Sequence, residues 1–196
     1  MRLFLLLSLL VFPAVSHAQA NSTAQPEGVA NRGQAIASEL GKSLYSALLK
    51  AVSTKGVAAS IQVCKEIALP LTKQLNQEGI QVKRISDRLR NPKNAADRTD
   101  REVLTVYQAL WKEPQKRPAY LVRKLDKDGK TAFRYYQPIA MRGMCLSCHG
   151  GGADVSDYVE RVIAKHYPAD NARGYELGEL RGLIRVELSG ATADWE

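Results

Sequence analysis

Cys145-Leu146-Ser147-Cys148-His149 places two thiols and an imidazole within one short stretch of chain. Thiols separated by two residues can both reach one edge of a porphyrin and add across its vinyl groups. The adjacent histidine is then tethered beneath the iron, so its coordination requires little further ordering. The pattern predicts one covalently attached c-type haem, bound through Cys145 and Cys148 with His149 as an iron ligand. Two other uses of Cys-x-x-Cys fit less well. A structural zinc site takes four ligands in matched pairs, and beyond a leader the chain adds only Cys64 and His166. A thioredoxin-like pair belongs between a strand and a helix of a βαβ unit.

Cys64 is left without a disulfide partner once the other two thiols are joined to haem. In an oxidising compartment it is either buried inertly or bound to iron, and its residue type leaves both open. Arg84 and Arg90 are candidates for hydrogen bonding to haem propionates, because a guanidinium presents a planar fork to a carboxylate. The alternative for each is an ordinary solvated charge. His166 falls at the end of an expected helix, where an imidazole meets the negative end of the dipole, and that role is preferred to iron ligation. Met141 and Met144 lie too near the motif to reach the opposite haem face, and Tyr135 and Tyr136 read as packing residues of a hairpin.

The elements that must position these groups follow from periodicity. Ile36, Leu40, Leu44, Leu48 and Val52 recur every four residues and predict a helix over 34–52, ended by Lys55-Gly56. A second helix is expected over 57–74, carrying Cys64 and kinked or split by Pro70. Residues 80–85 alternate as a strand after a turn at Glu78-Gly79, and Asn91-Pro92-Lys93-Asn94 is a loop. Thr99 and Glu102 read as a capping box opening a third helix that runs to about Leu110. Residues 119–125 and 131–137 flank Asp126-Lys127-Asp128-Gly129 as a β-hairpin, 155–166 form a helix, and 183–188 form a last strand. Strands joined through hairpins, with helices before and between them, indicate an antiparallel α+β domain.

The chain opens with Met1-Arg2, an apolar run from Leu3 to Val15 and small residues at Ser16-His17-Ala18-Gln19-Ala20. The run is about 13 residues and contains Pro13, against the roughly 20 residues of a membrane span, so residues 1–20 read as a signal peptide cleaved after Ala18 or Ala20. The expected layout continues with a flexible mature N-terminus over 21–32 and a single domain over 33–196 in the periplasm, with no transmembrane segment in the mature protein. With 45% hydrophobic residues, a domain of this size buries a core without disulfides. The formal charge of +8 is spread along the chain rather than gathered into an aromatic-studded stripe, and with export this argues against nucleic acid.

The sequence resembles the periplasmic single c-type haem domains with a PAS-like fold, found alone or joined to bacterial sensor kinases. The resemblance is carried by Val63-Cys64-Lys65, Arg84-Ile85-Ser86, Leu89-Arg90-Asn91-Pro92-Lys93-Asn94, Tyr135-Tyr136-Gln137-Pro138-Ile139, the haem motif through Gly150, and Gly174-Tyr175 with Gly178 and Arg181-Gly182. It implies a PAS-like antiparallel sheet, N-terminal helices packed on that sheet, and Cys64 as the iron ligand opposite His149. It also implies sensing of redox state or small ligands, or electron transfer as a small cytochrome between periplasmic redox proteins. No catalytic residue is expected. With no transmitter domain after the haem module, signalling is expected to pass through a separate partner such as a membrane sensor protein.

Overall fold

The computed structural model describes residues 24–127 and 129–190; the expected signal peptide lies outside them. Helix α1 (Ala24–Gln74) is two helical limbs joined at Gly56, whose φ of 78° and ψ of 170° are not helical. The break falls where Lys55-Gly56 was expected to end the first helix, because glycine takes positive φ without a Cβ clash. Pro70, in contrast, does not split the second limb, which runs through it to Gln74. It and Glu66, whose carbonyl would bond its missing N–H, both face solvent, where water can satisfy that carbonyl.

The N-terminal stretch expected to be flexible is helical from Ala24, and Val29 is fully buried in the core. The apolar stripe therefore starts earlier than Ile36, with Val29, Ala37 and Leu40 buried and Ile36 and Leu44 packed beside them. Gly33 lies within that stripe against Tyr135, and any Cβ there would overlap the Tyr135 side chain. Its small size sets how closely α1 approaches the sheet.

Strands β1 (Ile80–Ile85), β2 (Leu121–Lys127), β3 (Lys130–Ala140) and β4 (Leu180–Ser189) form a four-stranded antiparallel sheet in the order β1-β4-β3-β2. The β2–β3 hairpin turns where Asp126 and Gly129 were expected to turn it. The Gly129 N–H donates to Asp126 Oδ1 at 2.8 Å, and Gly129 has a φ of 75°. Alternation then sorts the side chains onto two faces. Ile80, Val82, Phe133, Tyr135, Ile184, Val186 and Leu188 meet the first limb of α1. Ile85, Tyr136 and Leu183 meet Val103, Leu104 and Tyr107 of α2 (Arg98–Trp111) on the other face.

The capping box of α2 is Asp97 with Asp100, two residues before the expected Thr99–Glu102 pair. The Asp100 N–H donates to Asp97 Oδ1 at 2.9 Å, and the Asp97 N–H donates to Asp100 Oδ2 at 3.3 Å. Asp100 is held there by a buried network. It accepts from Arg134 at 3.1 Å, Arg185 at 3.2 Å and the Tyr136 hydroxyl at 3.0 Å, while Arg134 also donates to Glu187 at 2.7 Å. Tertiary charge pairing thus decides which of two sequence-compatible caps forms.

A short helix α3 (Gly143–His149) carries the cysteine motif, and α4 (Asp157–His166) follows with Ser156 as its N-cap. The second limb of α1 packs Ile61 against Val155, Val159 and Ile163. Among the described residues, no helix is long and apolar enough to cross a membrane.

Candidate functional site

Helix α3 is seven residues long and sits between two apolar clusters. Cys148 packs on the cluster formed by the second limb of α1 with α4, and Cys145 and Leu146 pack on Met141, Ala172 and Tyr175. At the helix end the Gly150 N–H donates to the Leu146 carbonyl at 2.8 Å. The 172–180 loop is stitched to this end. Gly174 donates to the Gly150 carbonyl and Tyr175 to the His149 carbonyl, each at 2.9 Å, and Gly178 donates to the Met141 carbonyl at 2.9 Å.

The His149 ring lies in a defined orientation. Its Nδ1 is 2.7 Å from the Ala172 carbonyl oxygen, so Nδ1 carries the proton and Nε2 presents its lone pair. The Tyr175 ring meets it edge-on with centroids 6.2 Å apart. Burial, followed by the positive charges of Arg90 and Arg181, pushes the imidazole pKa down to about 3. A neutral imidazole with Nδ1–H tied to a carbonyl is the form that donates to a metal. In the arrangement described, Nε2 faces Arg90 Nη1 at 3.4 Å, a long contact that iron ligation would displace.

Arg90, expected to face propionates, is committed elsewhere. Its Nε and Nη2 donate to the two carboxylate oxygens of Asp170 at 3.1 and 3.0 Å, and Nη2 also donates to the Cys148 carbonyl at 2.6 Å and the Ala172 carbonyl at 3.3 Å. It therefore clamps α3 to the segment that orients His149. Asp170 has a fully buried side chain; burial alone would raise its pKa, but the Arg90 bonds and charge outweigh this and hold the carboxyl below its ordinary range. Nothing in the sequence pattern singled out Asp170 or Ala172.

Cys64 lies half-buried on the second limb of α1. Burial pushes its thiol pKa up, and the positive charges of Arg84 and Arg90 offset part of that. Cys148 is raised by burial too, and it senses Cys64 as a like charge, so these two sulfurs lie near one another. All three cysteines are free thiols. Arg84, on β1, has its Nε fully buried with no hydrogen-bond partner, and the buried Tyr175 hydroxyl lacks one as well. Tyr167 stands beside Arg90, whose guanidinium is 5.9 Å from its ring centre. His166 ends α4 as expected, and its carbonyl accepts from Lys65 Nζ at 3.2 Å. Met141 is buried beside Cys145, on the motif's own side, and Tyr135 and Tyr136 are buried packing residues of the sheet.

The donor set suits a covalently held haem. Two thiols stand on one short helix beside an oriented neutral imidazole, a third sulfur lies on the neighbouring limb, and an unsatisfied buried guanidinium adjoins them. Residues that carry the site but were given no role in the sequence reading include Tyr175 and Arg181. Their only signal was membership of the short motifs behind the family resemblance.

No curated protein matches the chain. Among solved structures, the cyanobacterial heme-protein Tll0287 matches with a TM-score of 0.51 and 22% sequence identity, covering 78% of this chain and 91% of that one. At that identity the likeness is one of fold. Residues 15–189 match the Tll0287-like family, and the chain belongs to that family.

Proposed function

We propose that this protein carries one c-type haem, attached through Cys145 and Cys148, with His149 and Cys64 on opposite sides of the iron, in a PAS-like α+β domain. The observation that carries the proposal is the His149 ring, whose Nδ1–H donates to the Ala172 carbonyl at 2.7 Å and leaves Nε2 as the donor on the helix that bears both cysteines. The haem supplies a ferric/ferrous couple and a metal able to exchange a ligand. The chain's own residues do the rest. The Ala172 carbonyl fixes the tautomer and makes Nε2 more basic, Arg90 and Asp170 hold the segment that supplies that carbonyl, and the apolar clusters on either side of α3 cover part of the motif. Cys64, kept protonated by burial, gains a reason to ionise beside a cationic metal.

The biological role we assign is non-enzymatic sensing of redox state or of a small ligand in the periplasm, relayed through a separate partner. What favours it is the placement of Cys64 on a limb that packs on α4 through Ile61, reaches the sheet core through Leu71 and leads into β1, so a change at that sulfur has direct routes into the fold. Electron transfer is the second reading, and the formal charge of +8 favours it as a docking charge for acidic partners. The test begins with Cys145→Ala/Cys148→Ala, which should lose covalently bound haem on a denaturing gel. Cys64→Ala with haem attached should change the ferric absorption and magnetic-resonance spectra; identical spectra would remove Cys64 as a ligand. Hydrogen exchange of ferric, ferrous and CO-exposed protein then separates the roles, since equal protection of residues 57–74 in all three states would sink the sensing role.

A further inference from the structure

Two guanidinium groups near the motif form no ion pair among the described residues. The Arg84 side chain makes no hydrogen bond or ion pair with any described residue, and its Nε is buried. Arg181 donates to neutral oxygens, the Ser86 hydroxyl at 2.7 Å and the Arg88 carbonyl at 3.1 Å, and feels the Asp170 carboxylate without an ion pair. The other buried or half-buried arginines among the described residues behave differently. Arg88 holds Glu179, Arg90 and Arg173 both hold Asp170, Arg134 holds Glu187, and Arg185 holds Asp100. Elsewhere among the described arginines a guanidinium taken out of water is paired with a carboxylate, and Arg84 and Arg181 depart from that rule.

The two exceptions are also close to each other: Arg181 Nη1 donates to the Ser86 hydroxyl at 2.7 Å, and Ser86 stands two residues along the chain from Arg84. Burial lowers the pKa of each guanidinium, and Arg84 is lowered further by the charge of Arg181. Both fields reach the motif's surroundings, since Arg84 acts on Cys64 and Arg181 on His149. Arginine does not relieve such strain by losing its proton. The remaining solution is an anion that enters with the ligand, with two negative oxygen groups on one rigid body matching two forks.

We infer that Arg84 and Arg181 together form a dicarboxylate seat for the two haem propionates, and that Arg90, whose fork is filled by Asp170, is a positioning residue for His149 instead. The inference rests on the haem reading above and names the contacts that reading left open. It makes Arg181, in the Arg181-Gly182 stretch at the start of β4, a cofactor-binding residue. It also makes the haem part of the electrostatic structure of the domain, because the bound dianion neutralises two charges that the chain leaves unpaired.

The experiment uses Arg84→Gln and Arg181→Gln in the full haem-loaded chain and in the haem-free Cys145→Ala/Cys148→Ala chain. In the loaded protein each substitution should lower the melting temperature, and in the haem-free chain each should raise it. The ferric/ferrous balance of the loaded protein should shift about tenfold toward ferric, about 59 mV for a one-electron couple, because a cation near the iron is lost. Arg→Lys at either position should restore most of that shift, as charge without the fork. A melting change of the same sign with and without haem overturns the seat. So does an unchanged potential in protein whose haem is attached, which decides the matter if the haem-free chain does not fold. Absence of attached haem from the wild-type chain, read from its intact mass, removes the haem reading itself and is distinct from a loaded protein indifferent to Arg84 and Arg181.

Discussion

Replacing Asp100 with alanine should be among the most damaging single changes on the sheet face that packs against α2. Its side chain is fully buried and accepts from Arg134, Arg185 and the Tyr136 hydroxyl, besides closing the capping box of α2. After the change Arg134 keeps Glu187 at 2.7 Å, but Arg185, with a side chain only 8% exposed, is left with Asp97 at 3.4 Å. Removing one partner of a buried pair costs about 3–5 kcal/mol, and the desolvated Arg185 places this case inside that range. For a domain of this size each kcal/mol moves the melting temperature by about 2–4 °C, so a fall of roughly 6–20 °C is expected. The assay is thermal unfolding of the haem-loaded chain followed by far-ultraviolet circular dichroism, with the haem absorption recorded on the same sample. The network lies with α2, across the sheet from α1, so the spectrum before melting should match the wild type. A loss below about 1 kcal/mol, the range of an exposed ion pair, would refute the claim that this network holds α2 to the sheet.

Gly33→Ala should destabilise the fold by about 1–3 kcal/mol in urea unfolding, because the new methyl overlaps the Tyr135 side chain and drives α1 off the sheet. Gly56→Ala should cost about 1–2 kcal/mol through the positive φ at the hinge, measurable in the same way, while leaving attached haem in place. Asp97 governs part of the acid limb. Burial would raise its carboxyl pKa, but the Asp100 amide and the Arg134 and Arg185 charges win and hold it low. A depressed carboxyl stabilises the fold above its unfolded pKa of about 3.9 and loses that contribution as pH falls through the lower folded value. Asp97→Asn should therefore flatten the decline in melting temperature below about pH 4 and leave the neutral-pH slope unchanged.

The parts of this fold that could be read from sequence are those decided locally. Residues 80–85 alternate, and β1 occupies them, because one edge of the pattern is buried and a slip of one residue would expose Ile80 and Val82. Gly56 marked its break because few other residues take that backbone conformation. Where two local solutions competed, sequence misplaced the answer. Thr99–Glu102 and Asp97–Asp100 both have cap spacing, and the choice was made by Arg134 and Arg185 arriving from β3 and β4. The start of α1 was missed because Val29 and Ala30 sit among small polar residues that read as a tail, and the sheet face that Val29 covers comes from strands far along the chain. At the site, the motif and Cys64 were visible as chemistry. Arg90 was seen as a charge, but its role depends on Asp170, a residue that no spacing rule connects to it.

The short helix that bears the cysteines is contiguous in the chain, whereas nearly everything around it is gathered from far away. The Ser86–Arg181 bond spans 95 residues, Arg90–Asp170 spans 80, and His149 finds its carbonyl 23 residues on. A chain emerging unfolded can offer Cys145, Cys148 and His149 as a complete recognition unit long before β1 meets β4, while the enclosing wall must wait for slow, non-local closure. The order of events in biogenesis is therefore built into the topology. On the proposed attachment, modification of an open segment can come first, and the last strand, arriving after the motif has been synthesised, completes the sheet around it afterwards.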